Sequence, residues 1–155
     1  MQMLGMAVSP DDCSLALRGM LTLGVRLAAL ERSTLEVARW LSGREEIARV
    51  LHPALPSCAG HDFWRRDFTG STSVFSVEFR PDVPRSRVRA FVDALELFEI
   101  GWSWGGVTSL AVPVNPRRSV AEGRRDGPLV RFNVGLEDPA DLIADLDQGL
   151  RAIRQ

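Results

Sequence analysis

The chain has 155 residues, of which 45% are hydrophobic and 25% are charged, and these values are typical of one globular domain with a single core. The formal net charge is -1, so no overall positive field draws the chain to nucleic acid or to an acidic membrane surface, which disfavours both classes of partner. All 19 residues counted as Lys or Arg are Arg, which excludes covalent catalysis through a lysine Schiff base.

The first predicted element is a long helix. Ser9 precedes Pro10 and two aspartates, a sequence that predicts a capped helix start with an acidic first turn. Gly19 and Gly24 predict a bend or close packing, and Gly43 predicts the helix end. The residues expected to form one apolar stripe are Leu15, Met20, Leu23, Leu27, Leu30, Val37 and Leu41.

The middle of the chain alternates strands and helices. We predict a short strand at 47–51, a short aromatic helix at 61–68, a half-buried strand at 73–80 and an amphipathic helix at 84–98. The strand at 73–80 has the clearest pattern, because apolar and polar side chains alternate along it.

The last third predicts two strands, at 108–114 and 129–134, separated by an exposed polar loop at 115–128, and a final helix from Asp138-Pro139. This order predicts one α+β domain covering residues 1–155. We expect a mainly antiparallel sheet with helices packed on one face, which leaves the other face for function.

Cysteine usage and the N-terminus indicate the cytoplasm. Cys13 and Cys58 form neither a CxxC pair nor a disulfide framework, and the start MQMLGMAV has no features of a signal peptide. His52 and His61 are not surrounded by a compact set of metal ligands, so we assign both to structure and predict no metal site.

Arg131 is the most specific candidate for ligand binding. In its strand, Arg131 and Asn133 point away from the face formed by apolar neighbours. The planar guanidinium could hold a carboxylate through two parallel hydrogen bonds, although a solvent-facing arginine on a half-exposed sheet is the alternative.

Two glycine-containing segments offer weaker candidates. The stretch GWSWGG places Trp102, Ser103 and Trp104 together, which is typical of a small-molecule pocket, but from the residues alone the favoured expectation is that both indoles fill core. The stretch FTGSTS at 68–73 could present amides to an anion, yet it lacks the spacing of a phosphate loop and a plain turn is favoured. No GxSxG elbow occurs, and we assign no catalytic residue.

Four long blocks, at 15–41, 50–79, 101–110 and 131–153, together resemble the C-terminal domain of the cysteine and methionine metabolism enzymes that use pyridoxal phosphate. The resemblance is strongest to the cystathionine β-lyase members of that family. It implies a fold-type I, transferase-like enzyme whose larger N-terminal part carries the cofactor lysine. Because MQMLGMAV resembles the segment after that lysine, we expect the chain to begin just downstream of it.

The resemblance also implies roles for four residues. Arg131 matches the arginine that binds the substrate α-carboxylate, while Ser103 and Trp104 match residues that line the substrate pocket. Trp102 stands where an aromatic residue, usually tyrosine, is expected. Departures from the family pattern include Ser73 for a glycine, Asn133 for a common histidine and RGMLTL for RGLRTL, which bear on specificity.

The function implied is that of a carbon-sulfur lyase of transsulfuration and methionine biosynthesis, which converts cystathionine to homocysteine, pyruvate and ammonia. The implied partners are the N-terminal cofactor domain, a sulfur amino-acid substrate and further copies in a homo-oligomer. We expect the chain alone to be inactive and to bind no cofactor covalently, because it has no lysine. The alternative is a stand-alone, non-catalytic interaction or regulatory module with the same fold.

Overall fold

The computed structural model describes residues 8–116 and 126–154. Residues 1–7 of the predicted N-terminal segment and most of the predicted loop at 115–128 therefore lie outside the described residues. Ten elements follow one another along the described chain: α1 (Pro10–Met20), α2 (Leu23–Ser42), β1 (Ile47–Leu51), α3 (His61–Asp67), β2 (Val74–Phe79), α4 (Arg85–Asp93), β3 (Glu99–Ile100), β4 (Leu110–Val114), β5 (Leu129–Asn133) and α5 (Pro139–Arg154).

The start of α1 confirms the predicted cap. The Ser9 hydroxyl accepts from the Asp12 amide at 3.1 Å, and the Asp12 carboxylate accepts from the Ser9 amide at 3.3 Å. This reciprocal pair satisfies two donors at the helix end that have no intrahelical acceptor. The predicted bend is also confirmed, because α1 and α2 meet at 59°.

The predicted apolar stripe is packed along only part of its length. Leu30, Val37 and Leu41 in α2 are buried against the core. None of the residues of α1, all of which are described, is buried. The remaining members of the stripe are exposed to between 40% and 64%: Leu15, Met20, Leu23 and Leu27. The first half of this bent helix pair thus presents an unpacked apolar surface.

Within the described residues, no single helix is long and apolar enough to cross a bilayer. Helices α1 and α2 reach that length and composition only when counted together across their bend.

The five strands form one sheet in the order β1-β2-β5-β4-β3. Three neighbouring pairs are antiparallel, and only the pairing of β3 with β4 is parallel. Helices α2, α4 and α5 supply buried residues to one core with the strands. The α+β class and the mainly antiparallel sheet are confirmed, while the single domain boundary at 1–155 stays a prediction.

The short strand β3 was not expected, because the helix predicted at 84–98 ends at Asp93. The carboxylate of Asp145 in α5 accepts hydrogen bonds from the amides of three residues that would have continued the helix. The donors are the amides of Glu96, Leu97 and Phe98, which lie 2.8, 2.9 and 3.3 Å from the carboxylate oxygens. A contact distant in sequence therefore turns the chain from α4 toward β3.

The strand register separates two faces of the sheet. Phe132 in β5 lies between Phe75 and Ala111, and all three are buried in the core shared with the helices. Because successive side chains in a strand point to opposite faces, Arg131 lies on the other face, between Ser76 and Val112. The central strand β5 thus carries Arg131 on the face away from the core.

Candidate functional site

Arg131 lies at the centre of the sheet and opens onto a cavity. The cavity has a volume of about 390 Å³ and lies on the face of the sheet away from the core. Most of its wall is apolar, and Arg131 supplies the only formal charge among the described residues that line it: Leu51, Ser76, Trp102, Val114, Asn115, Pro116, Leu129 and Arg131. A cationic fork beside an apolar wall suits a small carboxylate-bearing ligand.

The guanidinium of Arg131 is partly held by its own chain. Nη1 donates to the Trp102 carbonyl at 2.8 Å, and Nη2 donates to the Ser103 carbonyl at 3.3 Å. An arginine has five N–H donors, so these contacts with the described residues use two and leave three. Arg131 is therefore oriented by the protein, and it is not a freely solvated side chain.

The segment 101–109, which we call the tryptophan loop, connects β3 to β4. Trp102 is 67% exposed and Trp104 is 68% exposed, so the expectation that these indoles fill core is wrong. Trp102 lines the cavity, whereas Trp104 and Ser103 do not. The structure thus brings Trp102 and the Ser103 backbone to Arg131 and leaves both the Ser103 side chain and Trp104 in the exposed part of the loop.

Asn133 is a site residue whose contacts sequence reasoning did not predict. It is only 2% exposed, two positions after Arg131 on the same face of β5. Its Oδ1 accepts from the Gly105 amide at 2.8 Å, and its Nδ2 donates to the Thr108 carbonyl at 3.0 Å. Gly105 has a φ of 72°, a left-handed conformation that favours glycine. The shared face with Arg131 was the available signal.

The end of the tryptophan loop is fixed by the turn that follows β5. The Glu137 carboxylate accepts from the Ser109 amide at 2.7 Å and from the Ser109 hydroxyl at 2.9 Å. The amide of Gly135 donates to the Ser109 hydroxyl oxygen at 2.8 Å. The Leu136 amide donates to the Val107 carbonyl at 2.8 Å. The loop is consequently bound along its length to β5 and the residues after it.

Another charged residue on the same face, Glu78, is buried and already paired. The Glu78 carboxylate, in a residue 2% exposed, contacts the Arg49 guanidinium at 2.7 Å. It also accepts from the amides of Asp126 and Gly127 at 3.0 and 3.2 Å. These bonds satisfy the carboxylate and fix the approach to β5, so Glu78 does not compete for the cation of Arg131.

The FTGSTS segment binds an anion that belongs to the chain itself. The Glu31 carboxylate of α2 accepts from the Ser71 amide at 2.7 Å and from the Ser71 hydroxyl at 3.0 Å. The segment is therefore attached to α2, and its Ser71 amide is occupied by a carboxylate of the same chain.

The two histidines have structural contacts. His52 is 1% exposed, its Nδ1 accepts from the Ala54 amide at 3.2 Å, and burial lowers its pKa below the usual 6.5. Nδ1 of His61 lies 2.8 Å from the Pro53 carbonyl. Across residues 8–116 and 126–154, no group of three His, Cys, Asp or Glu side chains is placed to hold a metal ion.

The sequence of this chain is similar to those of known enzymes. Residues 1–151 match the family model described as Cys/Met metabolism PLP-dependent enzyme. The chain is 47% identical to cystathionine beta-lyase of Bordetella avium over 95% of its length, and 42% identical to that of Escherichia coli over 97%. It spans 37% and 40% of those relatives, respectively.

A solved enzyme structure contains a similar fold. It is that of cystathionine gamma synthase from Xanthomonas oryzae pv. oryzae in complex with aminoacrylate and cysteine, which matches with a TM-score of 0.82 and 34% identity. The match covers 97% of this chain and 40% of that one.

Proposed function

Because the chain belongs to the Cys/Met metabolism PLP-dependent enzyme family, we propose that it is the substrate-binding C-terminal part of a carbon-sulfur lyase of the cystathionine β-lyase kind. The observation that carries the proposal is the oriented guanidinium of Arg131 at the wall of the cavity. Similarity to cystathionine beta-lyases over the C-terminal region supports the reaction class.

Binding of an amino-acid substrate follows from the donors that Arg131 retains. Three N–H groups stay available after its contacts with the tryptophan loop, and two of them suffice for a bidentate bond to an α-carboxylate. The wall beside Arg131 includes the apolar side chains of Trp102 and Leu129, and less polar surroundings strengthen an electrostatic attraction. The chain therefore supplies recognition and orientation of the substrate.

Pyridoxal phosphate, when bound in this family, supplies the electron sink for bond cleavage next to the amino group. The residues of this chain do not fit covalent attachment of that group, because the chain contains no lysine. The attachment and the proton transfers belong to the remaining 60% or so of the family enzyme that this chain does not span, given its 40% coverage of the Escherichia coli relative. The oriented guanidinium of Arg131 beside the cavity favours this function over a non-catalytic module.

The first test compares the chain with the protein translated from the full reading frame of its gene. Each is supplied with pyridoxal phosphate and L-cystathionine, and pyruvate release is measured. We expect turnover only from a protein with a lysine-bearing upstream part. A gene without coding sequence in frame above Met1 would contradict the proposal.

The second test addresses Arg131 in the active protein. Arg131→Ala should raise KM for L-cystathionine about 100-fold, since a charge-assisted bidentate pair contributes about 3 kcal/mol to binding. Arg131→Lys restores the charge without the fork and should recover only part of that loss. Arg89→Ala, which removes an exposed arginine of α4, is the matched control and should leave KM unchanged. Equal KM values for Arg131→Ala and Arg89→Ala would overturn the assigned role.

A further inference from the structure

We propose that Asn133 is a positioning residue, which sets the orientation of the Arg131 guanidinium by fixing the tryptophan loop. The identity of the ligand in this inference rests on the proposed function, whereas the coupling between Asn133 and Arg131 rests on the geometry alone. The coupling rests on hydrogen bonds from one strand to both ends of the same loop.

Asn133 holds the loop across a span of four residues. Its side-chain amide accepts from Gly105 and donates to Thr108, so one planar group fixes the separation and direction of two backbone units. The side chain is short and almost fully buried in the central strand. Asn133 is consequently a rigid anchor for the loop.

The loop side chains themselves provide little packing. Trp102, Trp104 and Val107 are each more than half exposed, at 67%, 68% and 58%. The loop position therefore depends on backbone hydrogen bonds to Arg131, Asn133 and the Leu136 amide. Of these anchors, Arg131 has the longest and most flexible side chain, so it follows the loop more readily than it fixes the loop.

The coupling has a direct consequence for ligand binding. The carbonyls of Trp102 and Ser103 hold the two terminal nitrogens of Arg131, and they lie only a few residues before Gly105 in the same loop. When Asn133 fixes Gly105, it also fixes those carbonyls and hence the plane of the guanidinium. Without Asn133, ordering the fork becomes a cost of ligand binding, since two backbone hydrogen bonds are lost.

Three variants test this coupling in the 155-residue chain. Asn133→Leu keeps a similar volume and removes both hydrogen bonds. Asn133→Asp keeps an acceptor for Gly105, but its ionised carboxylate cannot donate to the Thr108 carbonyl. Protonation of that aspartate restores the donor, so its effect should reverse with pH. Gln148→Leu is the matched control, because Gln148 donates to the Ala94 carbonyl on α4 at 2.6 Å, in a part of the fold that does not include the loop.

The measurement is hydrogen exchange, followed by low-temperature NMR, of the Gly105 amide and of the Arg131 Nη–H groups that donate to the tryptophan loop. We expect Asn133→Leu to accelerate both by about tenfold, equivalent to about 1.4 kcal/mol, and Gln148→Leu to change neither. In Asn133→Asp, both groups should exchange fast at about pH 7.5 and approach the wild-type rates at about pH 3, below the usual aspartate pKa of about 3.9, each compared with wild type at the same pH. A role in packing alone would not produce this reversal.

Two results would overturn the proposal. The first is an Arg131 exchange rate in Asn133→Leu that equals the wild-type rate. The second is a difference in exchange rate between Asn133→Asp and wild type that is the same at both pH values. A titration with L-cystathionine, read at the Arg131 Nε–H resonance, connects the coupling to binding and should show about tenfold weaker affinity in Asn133→Leu. If wild type shows no response to L-cystathionine, the proposed function fails, while the exchange comparison still decides the role of Asn133.

Discussion

Replacement of Asp145 by alanine should destabilise the fold more than any change at an exposed carboxylate. The Asp145 side chain, 5% exposed as a residue, accepts from three consecutive backbone amides that connect α4 to β3. The Gln148 amide also donates to it, at 3.0 Å. Alanine at this position removes all of these acceptors and leaves the backbone donors without partners.

The magnitude follows from the distances. The two short bonds, at 2.8 and 2.9 Å, have a charged acceptor, and hydrogen bonds of this kind contribute about 1.5 kcal/mol or more each. The third, at 3.3 Å, is weaker. We therefore expect Asp145→Ala to lower the free energy of unfolding by about 3 kcal/mol. Asp145→Asn keeps one acceptor oxygen and should lose about half as much.

Urea unfolding followed by circular dichroism measures this difference. Asp147→Ala is the control, because Asp147 is in the same helix and pairs with Arg151 at the surface at 2.9 Å. Such exposed pairs contribute about 0.5 kcal/mol. If Asp145→Ala costs no more than Asp147→Ala, the explanation given for the end of α4 is wrong.

Three further predictions concern other parts of the fold. Gly135→Ala should cost about 2 kcal/mol in urea unfolding, because its Cβ would overlap the Val107 carbonyl oxygen, whereas Gly24→Ala, with open space around its Cβ, should not destabilise. Burial lowers the pKa of His52, so the stabilising contribution of His52 is present above pH 6.5 and is lost as pH falls through the lowered pKa. In urea unfolding between about pH 7.5 and pH 5, His52→Gln should therefore reduce the change of the unfolding midpoint with pH. An unchanged dependence of the midpoint on pH would count against this assignment. The exposed apolar surface of α1 and α2 should cause self-association, visible in sedimentation across a concentration series; Leu17→Glu should reduce it, and a strictly monomeric wild type would contradict it.

Local signals in the sequence predicted much of the fold. The strand predicted at 47–51 is observed at the same residues, and the strands predicted at 73–80 and 129–134 are each shorter by one or two residues. The capping pattern at Ser9 is confirmed in atomic detail. These features depend on alternation, helical spacing and cap chemistry within a few residues, which a sequence displays directly.

The errors arose where distant contacts decide the structure. Asp145 ends α4 from about fifty positions away, and β3 depends on a parallel partner later in the chain. For the site, the pattern of its strand placed Arg131 on the correct face, but carbonyls from the tryptophan loop occupy two of its donors. The pairing of Asn133 with Gly105 required the fold, since neither residue type predicts the other. Cytoplasmic location and oligomeric state stay predictions.

The strand order has a consequence for how the protein is made. Strand β5 lies between β2 and β4, so those two strands have edges without their final neighbour until residues 129–133 leave the ribosome. Folding of the sheet must wait for the strand that carries Arg131, and the earlier strands must avoid pairing with other chains during that interval. Completion of the sheet and assembly of the ligand-binding arginine are therefore one event, and nascent chains shorter than this point are the species that we expect chaperones to protect.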